Sequence, residues 1–259
     1  MNVAVCVKQI PDPATPGSLS ADHTLDRSGK LILDESDSYG VEMALQLVDA
    51  AGGGEVTLIS MAPNEEVSGL RTALAMGAAK AILVSDPVLA GSDALGTAKV
   101  LAKSIERAGD IDLVLAATES SDGYTGTVPA QIAALLDWPA LTFSKHVEIA
   151  DGKVKVQRQT EAGYDEVEAS LPAVVSVTAG VVEPRYPSFK GIMAAKNKPV
   201  DEVKVADLGV ADDAVGWGGA RQEIVDVSPA EERKAGEIVE DEGDAHERIV
   251  AFLEQLKVI

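Results

Sequence analysis

The 259-residue chain has one cysteine, Cys6. That excludes an internal disulfide and a cysteine-rich metal site, and it fits a reducing compartment. Three scattered histidines offer no metal-ligand cluster either. Although 46% of the residues are hydrophobic, no apolar run is long enough to cross a bilayer, so a soluble globular protein without membrane insertion is expected. No charged leader or cleavage site precedes the first strand-like stretch, "MNVAVCVKQ", and the expected location is cytoplasmic. Positive charge is scarce: 22 basic residues face 42 acidic ones, a formal net charge of −20. Such a surface repels nucleic acid and anionic lipid, which argues against both as general partners.

Several catalytic loops are missing too. There is no G-x-x-x-x-G-K-[ST] and no G-x-G-x-x-G after the first strand. G-x-S-x-G and a convincing Ser/His/Asp set are also absent. Such a chain can bind a nucleotide without turning it over.

What is present is a rhythm. Asn2–Val7, Glu55–Met61, Ala81–Val84 and Ile111–Ala117 read as apolar strands. Between them, Asp37–Ala51 is helical, with Val41, Ala44, Leu45 and Val48 on one face. Asn64 is expected to cap a second helix that stops at Gly77, with Glu65 and Glu66 in its first turn. Ser92 or Asp93 opens a third helix, running to about Arg107, and Val128–Leu136 supplies a fourth. Alternating strands and helices predict a doubly wound, mostly parallel α/β sheet with helices on both faces.

After residue 140 the pattern changes. Leu141–Ile149 and Lys153–Arg158 flank Asp151-Gly152, a type I′ hairpin signal. With Glu166–Leu171 and Ala173–Val177 they read as strands added to the sheet edge or as a small antiparallel appendage. The expected α/β nucleotide-binding domain covers residues 1–200, and 201–259 reads as a C-terminal helical arm. In the arm, Ser228-Pro229-Ala230-Glu231 is a helix start, and a last helix at about 244–257 carries Ile249, Val250, Phe252, Leu253 and Leu256 as an apolar stripe. Such a stripe suits a partner's groove, although C-terminal helices often dock on their own core.

In open parallel sheets, ligands sit beyond the carboxyl ends of the strands, where strand order reverses. With the first and fourth strands adjacent, two loops meet there. One is the long stretch from Lys8 to about Ser36; the other is 118–127, within "SSDGYTGTVPAQIAALLDWP". Thr125, Gly126 and Thr127 carry little bulk, and the helix beginning at Val128 offers unpaired N–H groups and a positive dipole end to a phosphate. The loop alone suits an ordinary helix cap better, since small-residue loops before helices are common. Asp34, Glu35 and Asp37 would repel a phosphate. They suit ribose hydroxyls or an adenine amino group at the other end of a nucleotide, or simply the dipole of the first helix.

Consecutive motifs resemble one family. They are "VKQIPD" after strand one, "RTALAMGA" at 71–78, "DGYTGTVPAQIAALLDWP" at 122–139, "LPAVVSV" at 171–177 and "EPRYPSFKGIMAAK" at 183–196. The chain resembles the β (small) subunit of electron transfer flavoprotein. The resemblance implies an adenine-nucleotide α-hydrolase-like fold and a heterodimer with a larger α subunit. It implies AMP held in this subunit and one redox-active FAD held mainly by α. It implies docking of flavin dehydrogenases, as in fatty acid oxidation, and a quinone oxidoreductase as acceptor. It places AMP contacts at Cys6, Asp34, Glu35, Ser36, Asp37, Met61, Ala117, Asp122, Gly123, Thr125, Gly126, Thr127 and Val128. It makes 183–196 a partner-recognition loop with Tyr186, Phe189, Ile192 and Met193 as contacts, and it seats residues 201–259 on the α subunit. The sequence departs from many relatives at Asp34-Glu35 and at Tyr124–Thr127. A variant with a second FAD in place of AMP fits the same pocket. A stand-alone AMP- or ATP-binding regulator and an ATP-using amide-forming enzyme are rival readings; the first leaves the arm without a partner, and the second lacks a Ser-Gly-Gly-rich loop after strand one.

Overall fold

The computed structural model describes residues 1–228, 236, 238 and 240–259. They form two compact units, 1–224 and 225–259. In the first, β1 (Asn2–Cys6) leads into a small hairpin of β2 (Gln9–Pro11) and β3 (Leu31–Leu33). Then come α1 (Glu35–Ala50), β4 (Glu55–Ala62), α2 (Ser68–Met76) and β5 (Lys80–Ser85). Next are α3 (Ala94–Ala108), β6 (Leu113–Ala117) and α4 (Val128–Leu136). A meander of β7 (Ala140–Ala150), β8 (Lys153–Thr160) and β9 (Gly163–Ser170) precedes β10 (Ala173–Val177). The unit closes with α5 (Phe189–Ala195), β11 (Val200–Val203) and the single turn α6 (Gly216–Gly219).

The main sheet runs β11-β5-β4-β1-β6-β10-β7-β8-β9. β1 is parallel to both neighbours, with Val5 opposite Leu58 on one side and Leu115 on the other. Strand order therefore reverses between β1 and β6. β6, β10 and β1 from Val3 on are buried, because their apolar runs meet helices on both faces. Val41, Ala44, Leu70 and Leu74 of α1 and α2 pack with Val3, Val5 and Leu115 on one face. Ala98, Leu101, Ile105 and Ile132 of α3 and α4 pack with Ala4, Ile59 and Val114 on the other.

Three expectations need correcting. Asn64 does not cap α2, which starts at Ser68; the Glu66 carboxylate accepts the N–H of Val67 and of Ser68 instead. Ala173–Val177 is no edge strand: it lies between β6 and β7, parallel to both. In the main sheet, among the described residues, β8 and β9 are the strands that join antiparallel, and the β7–β8 turn has positive φ at both Asp151 and Gly152, as the hairpin signal implied. The domain boundary is not at 200, since β11 pairs in parallel with β5 and the unit continues to Ile224. Val200 and Val203 make that pairing a continuation of the core, a role their short, charged surroundings hide.

In the second unit, α7 (Ala245–Gln255) buries none of its residues, and Ile249, Val250, Phe252 and Leu256 are exposed. Pro229, Ala230 and Glu231, expected to start a helix, lie outside the described residues. No helix among the described residues is long and apolar enough to cross a membrane.

Candidate functional site

The site is built where β1 and β6 end side by side. β1 hands over to Val7 and Lys8, while the hairpin β2–β3 returns the chain to Asp34 at the start of α1. Asp34 is fully buried and ties three segments together: its N–H donates to the Lys8 carbonyl at 3.0 Å. Its Oδ1 accepts the Ser36 N–H at 3.1 Å and its Oδ2 accepts the Ser121 N–H at 2.7 Å. Asp37, one turn into α1, accepts the Lys8 N–H at 2.6 Å. Burial pushes the Asp37 carboxyl well above its ordinary range, and the charges of Asp34 and Asp122 add to the effect. Asp122 is the electrostatic centre. Its carboxylate accepts Lys8 Nζ at 2.6 Å and also binds Arg27 Nη2. Burial alone would raise Asp122, but the two cations outweigh it and hold the carboxyl below its usual value.

The second wall is the loop after β6. Lys8 Nζ also reaches Ser120 Oγ at 3.1 Å. Tyr124 and Gly126 both have positive φ, which turns the chain sharply into α4. A Cβ at Gly126 would be strained at this φ and would lie 3.3 Å from Glu119 Oε2. Among the described residues no side chain caps the first turn of α4, and Pro129 removes one of its donors. The remaining N–H groups of that turn form a donor set suited to an anion. Gln131 sits beside it, with Nε2 donating to Thr127 Oγ1 at 3.2 Å while its buried Oε1 has no partner among the described residues.

The expected site residues divide by role. Asp34, Ser36, Asp37 and Asp122 come together through the bonds above. Thr125, Gly126, Thr127 and Val128 form the mouth at α4, Glu35 is exposed, and Gly123 sits in the turn. Cys6 and Ala117 end the two strands and are buried, with Met61 half-buried near the end of β4. Burial, with Asp37 nearby, pushes the Cys6 thiol up to about 12, so it stays neutral and unreactive. The expectation that Asp34 and Asp37 face ribose or adenine meets a competing use: both carboxylates already serve backbone donors inside the chain. Lys8, Arg27 and Ser121 were not foreseen. Lys8 had a signal, a cation directly after a buried strand at a switch point; Arg27, in a long polar loop, had none. A separate open groove of about 450 Å³ lies over the meander, lined by His146, Lys155, Glu166 and others, and contains none of these residues.

Residues 183–196 form a second feature. Tyr186 is 92% exposed and Phe189 81%, with Ile192 and Met193 also exposed.

Fold and loop geometry define a doubly wound α/β protein with polar loops gathered at its switch point, the place where such sheets bind ligands. A family profile described as electron transfer flavoprotein domain matches residues 22–208. The chain is 41% identical to an electron transfer flavoprotein subunit beta of Mycobacterium tuberculosis, covering 100% of this chain and 99% of that protein. It is 34% identical to the corresponding protein of Megasphaera elsdenii, over 96% and 95% of the two chains. It is also 35% identical to the caffeyl-CoA reductase–Etf complex subunit CarD of Acetobacterium woodii, over 86% of each. The chain belongs to the electron transfer flavoprotein family, among its β subunits.

Proposed function

We propose that this β subunit holds one AMP in the switch-point cleft and pairs with an α subunit that carries the redox-active FAD. It presents residues 183–196 to flavin dehydrogenases, and the electrons pass on to a quinone oxidoreductase and the respiratory chain. The observation that carries the nucleotide reading is the first turn of α4, open to an anion behind the left-handed turn at Gly126. The charges favour a monophosphate. Lys8 and Arg27 are already paired with Asp122, so the phosphate depends on backbone N–H groups and the helix dipole. Those groups are suited to one phosphate; a triphosphate would bring more negative charge towards Asp34, Glu119 and Asp122. The FAD supplies the redox chemistry when bound, and this chain supplies placement.

The test is to purify the heterodimer with its α subunit, denature it, and separate the released nucleotides. AMP and FAD in equal amounts are expected. Two FAD per heterodimer and no AMP would assign the cleft to a second flavin.

A further inference from the structure

The segment 183–196 is held in place without a core of its own. α5 buries only Ala195 and meets α2 closely at Gly191, so apolar burial supplies little of what holds its pose. Polar clamps at the two ends supply the rest. Arg185 donates three times to one carboxylate on α1. Its backbone N–H reaches Glu42 Oε2 at 3.2 Å, its Nε the same oxygen at 2.6 Å, and its Nη2 reaches Oε1 at 3.0 Å. The Glu42 side chain is 5% exposed and also accepts Gln46 Nε2 at 2.8 Å. At the far end, Lys198 Nζ donates to the carbonyls of Leu74 and Ala78 at the end of α2, and Arg71 donates to those of Ala195 and Lys198.

A planar guanidinium can engage both oxygens of a carboxylate at a fixed angle; an ammonium cannot. Resting on the docking reading above, we infer that the Glu42–Arg185 clamp positions the docking segment, holding Phe189, Ile192 and Met193 outward before a dehydrogenase arrives. Glu42 is covered and does not touch the partner. It acts through Arg185, and Arg185 through the segment's shape. Preorganisation of this kind lowers the ordering cost of binding and leaves transfer within the complex alone.

The test measures electron transfer from a flavin dehydrogenase to the heterodimer against dehydrogenase concentration, in wild type, Arg185→Lys, Glu42→Gln, Phe189→Ala and the Arg185→Lys/Phe189→Ala double variant. Arg185→Lys and Glu42→Gln should each raise the half-saturating concentration roughly three- to tenfold. The maximal rate and the nucleotide and flavin content should stay near wild type. Amide exchange over residues 186–195 should quicken in both. In the double variant, Arg185→Lys should add little to Phe189→Ala, because it acts through that anchor. Additive losses, or a wild-type half-saturation in Glu42→Gln, would overturn the inference while the docking reading stands. A Phe189→Ala heterodimer that saturates like wild type would remove the docking reading and this inference with it.

Discussion

On the proposed nucleotide reading, Asp122 illustrates how a single residue sets what the switch-point loops would hold. By pairing with both Lys8 and Arg27 it cancels the cations that would otherwise draw a polyphosphate, and leaves the task to backbone donors at α4. Gly126→Asp is the sharpest probe of those donors, since it adds bulk and charge where φ is left-handed. The variant should lose nucleotide and assemble poorly with the α subunit; normal AMP content in it would place the phosphate elsewhere. Asp37 offers a pH test. Its carboxyl is harder to ionise in the folded chain than in the unfolded one, where the ordinary value is 3.8. Such a group costs stability as pH rises from there, until the folded chain ionises as well. Asp37→Asn keeps an acceptor for the Lys8 N–H and removes the cost. Its melting temperature should match wild type near about pH 4 and exceed it at neutral pH; an equal difference at both would show that ionisation is not the cause. Phe189→Ala removes an exposed anchor typically worth about 2 kcal/mol in a docked state. Transfer from several dehydrogenases should weaken roughly tenfold or more while the melting temperature holds. Unchanged transfer with a lowered melting temperature would make Phe189 a core residue. The candidate loop was legible because small residues before a helix leave its N–H groups open, although an ordinary cap reads the same way. The clamps of Asp34 and Asp122 were not, because their partners are up to 114 residues away.

At the scale of elements, legibility followed local chemistry. Asp93 caps α3 as its position suggests, because its carboxylate accepts the Gly96 N–H inside one turn. Asn64 offered the same type of signal, yet α2 begins four residues later, because Glu66 and the Gln9 side chain take the donors of that turn. β10 and β11 were misjudged in different ways. The β-branched run of β10 announces a strand while the short, charged β11 announces none, and the sheet position of both is set by pairing with β6 and β5, which no local pattern records. The contact between α2 and α5 is similarly invisible in sequence. Gly191 is there because a Cβ would sit 2.4 Å from the Ala75 carbonyl oxygen. Gly191→Ala should push α5 off α2 and destabilise the protein by about 1–3 kcal/mol. A melt unchanged from wild type would mean that the two helices slide apart at no cost.

The whole molecule divides at Ile224, and the two units have opposite economies. Residues 1–224 contain the sheet and both of its cores, whereas α7 buries nothing within its own unit. Truncation after Ile224 should therefore leave a chain that melts near the full-length value and no longer holds the α subunit. A large loss of stability would show that the arm belongs to this subunit's own fold. The central place of β10 also sets an order of events. β6 is complete at Ala117, but its second neighbour is residues 173–177, and α4 and the whole meander come between. Until those five residues are made, β6 carries an unpaired edge in the middle of the future sheet. Closure is thus a late, non-local step of the kind that slows folding and invites aggregation. A ribosome making this chain holds a half-sheet for as long as the meander takes to emerge, and that interval is when the nascent chain most needs shielding.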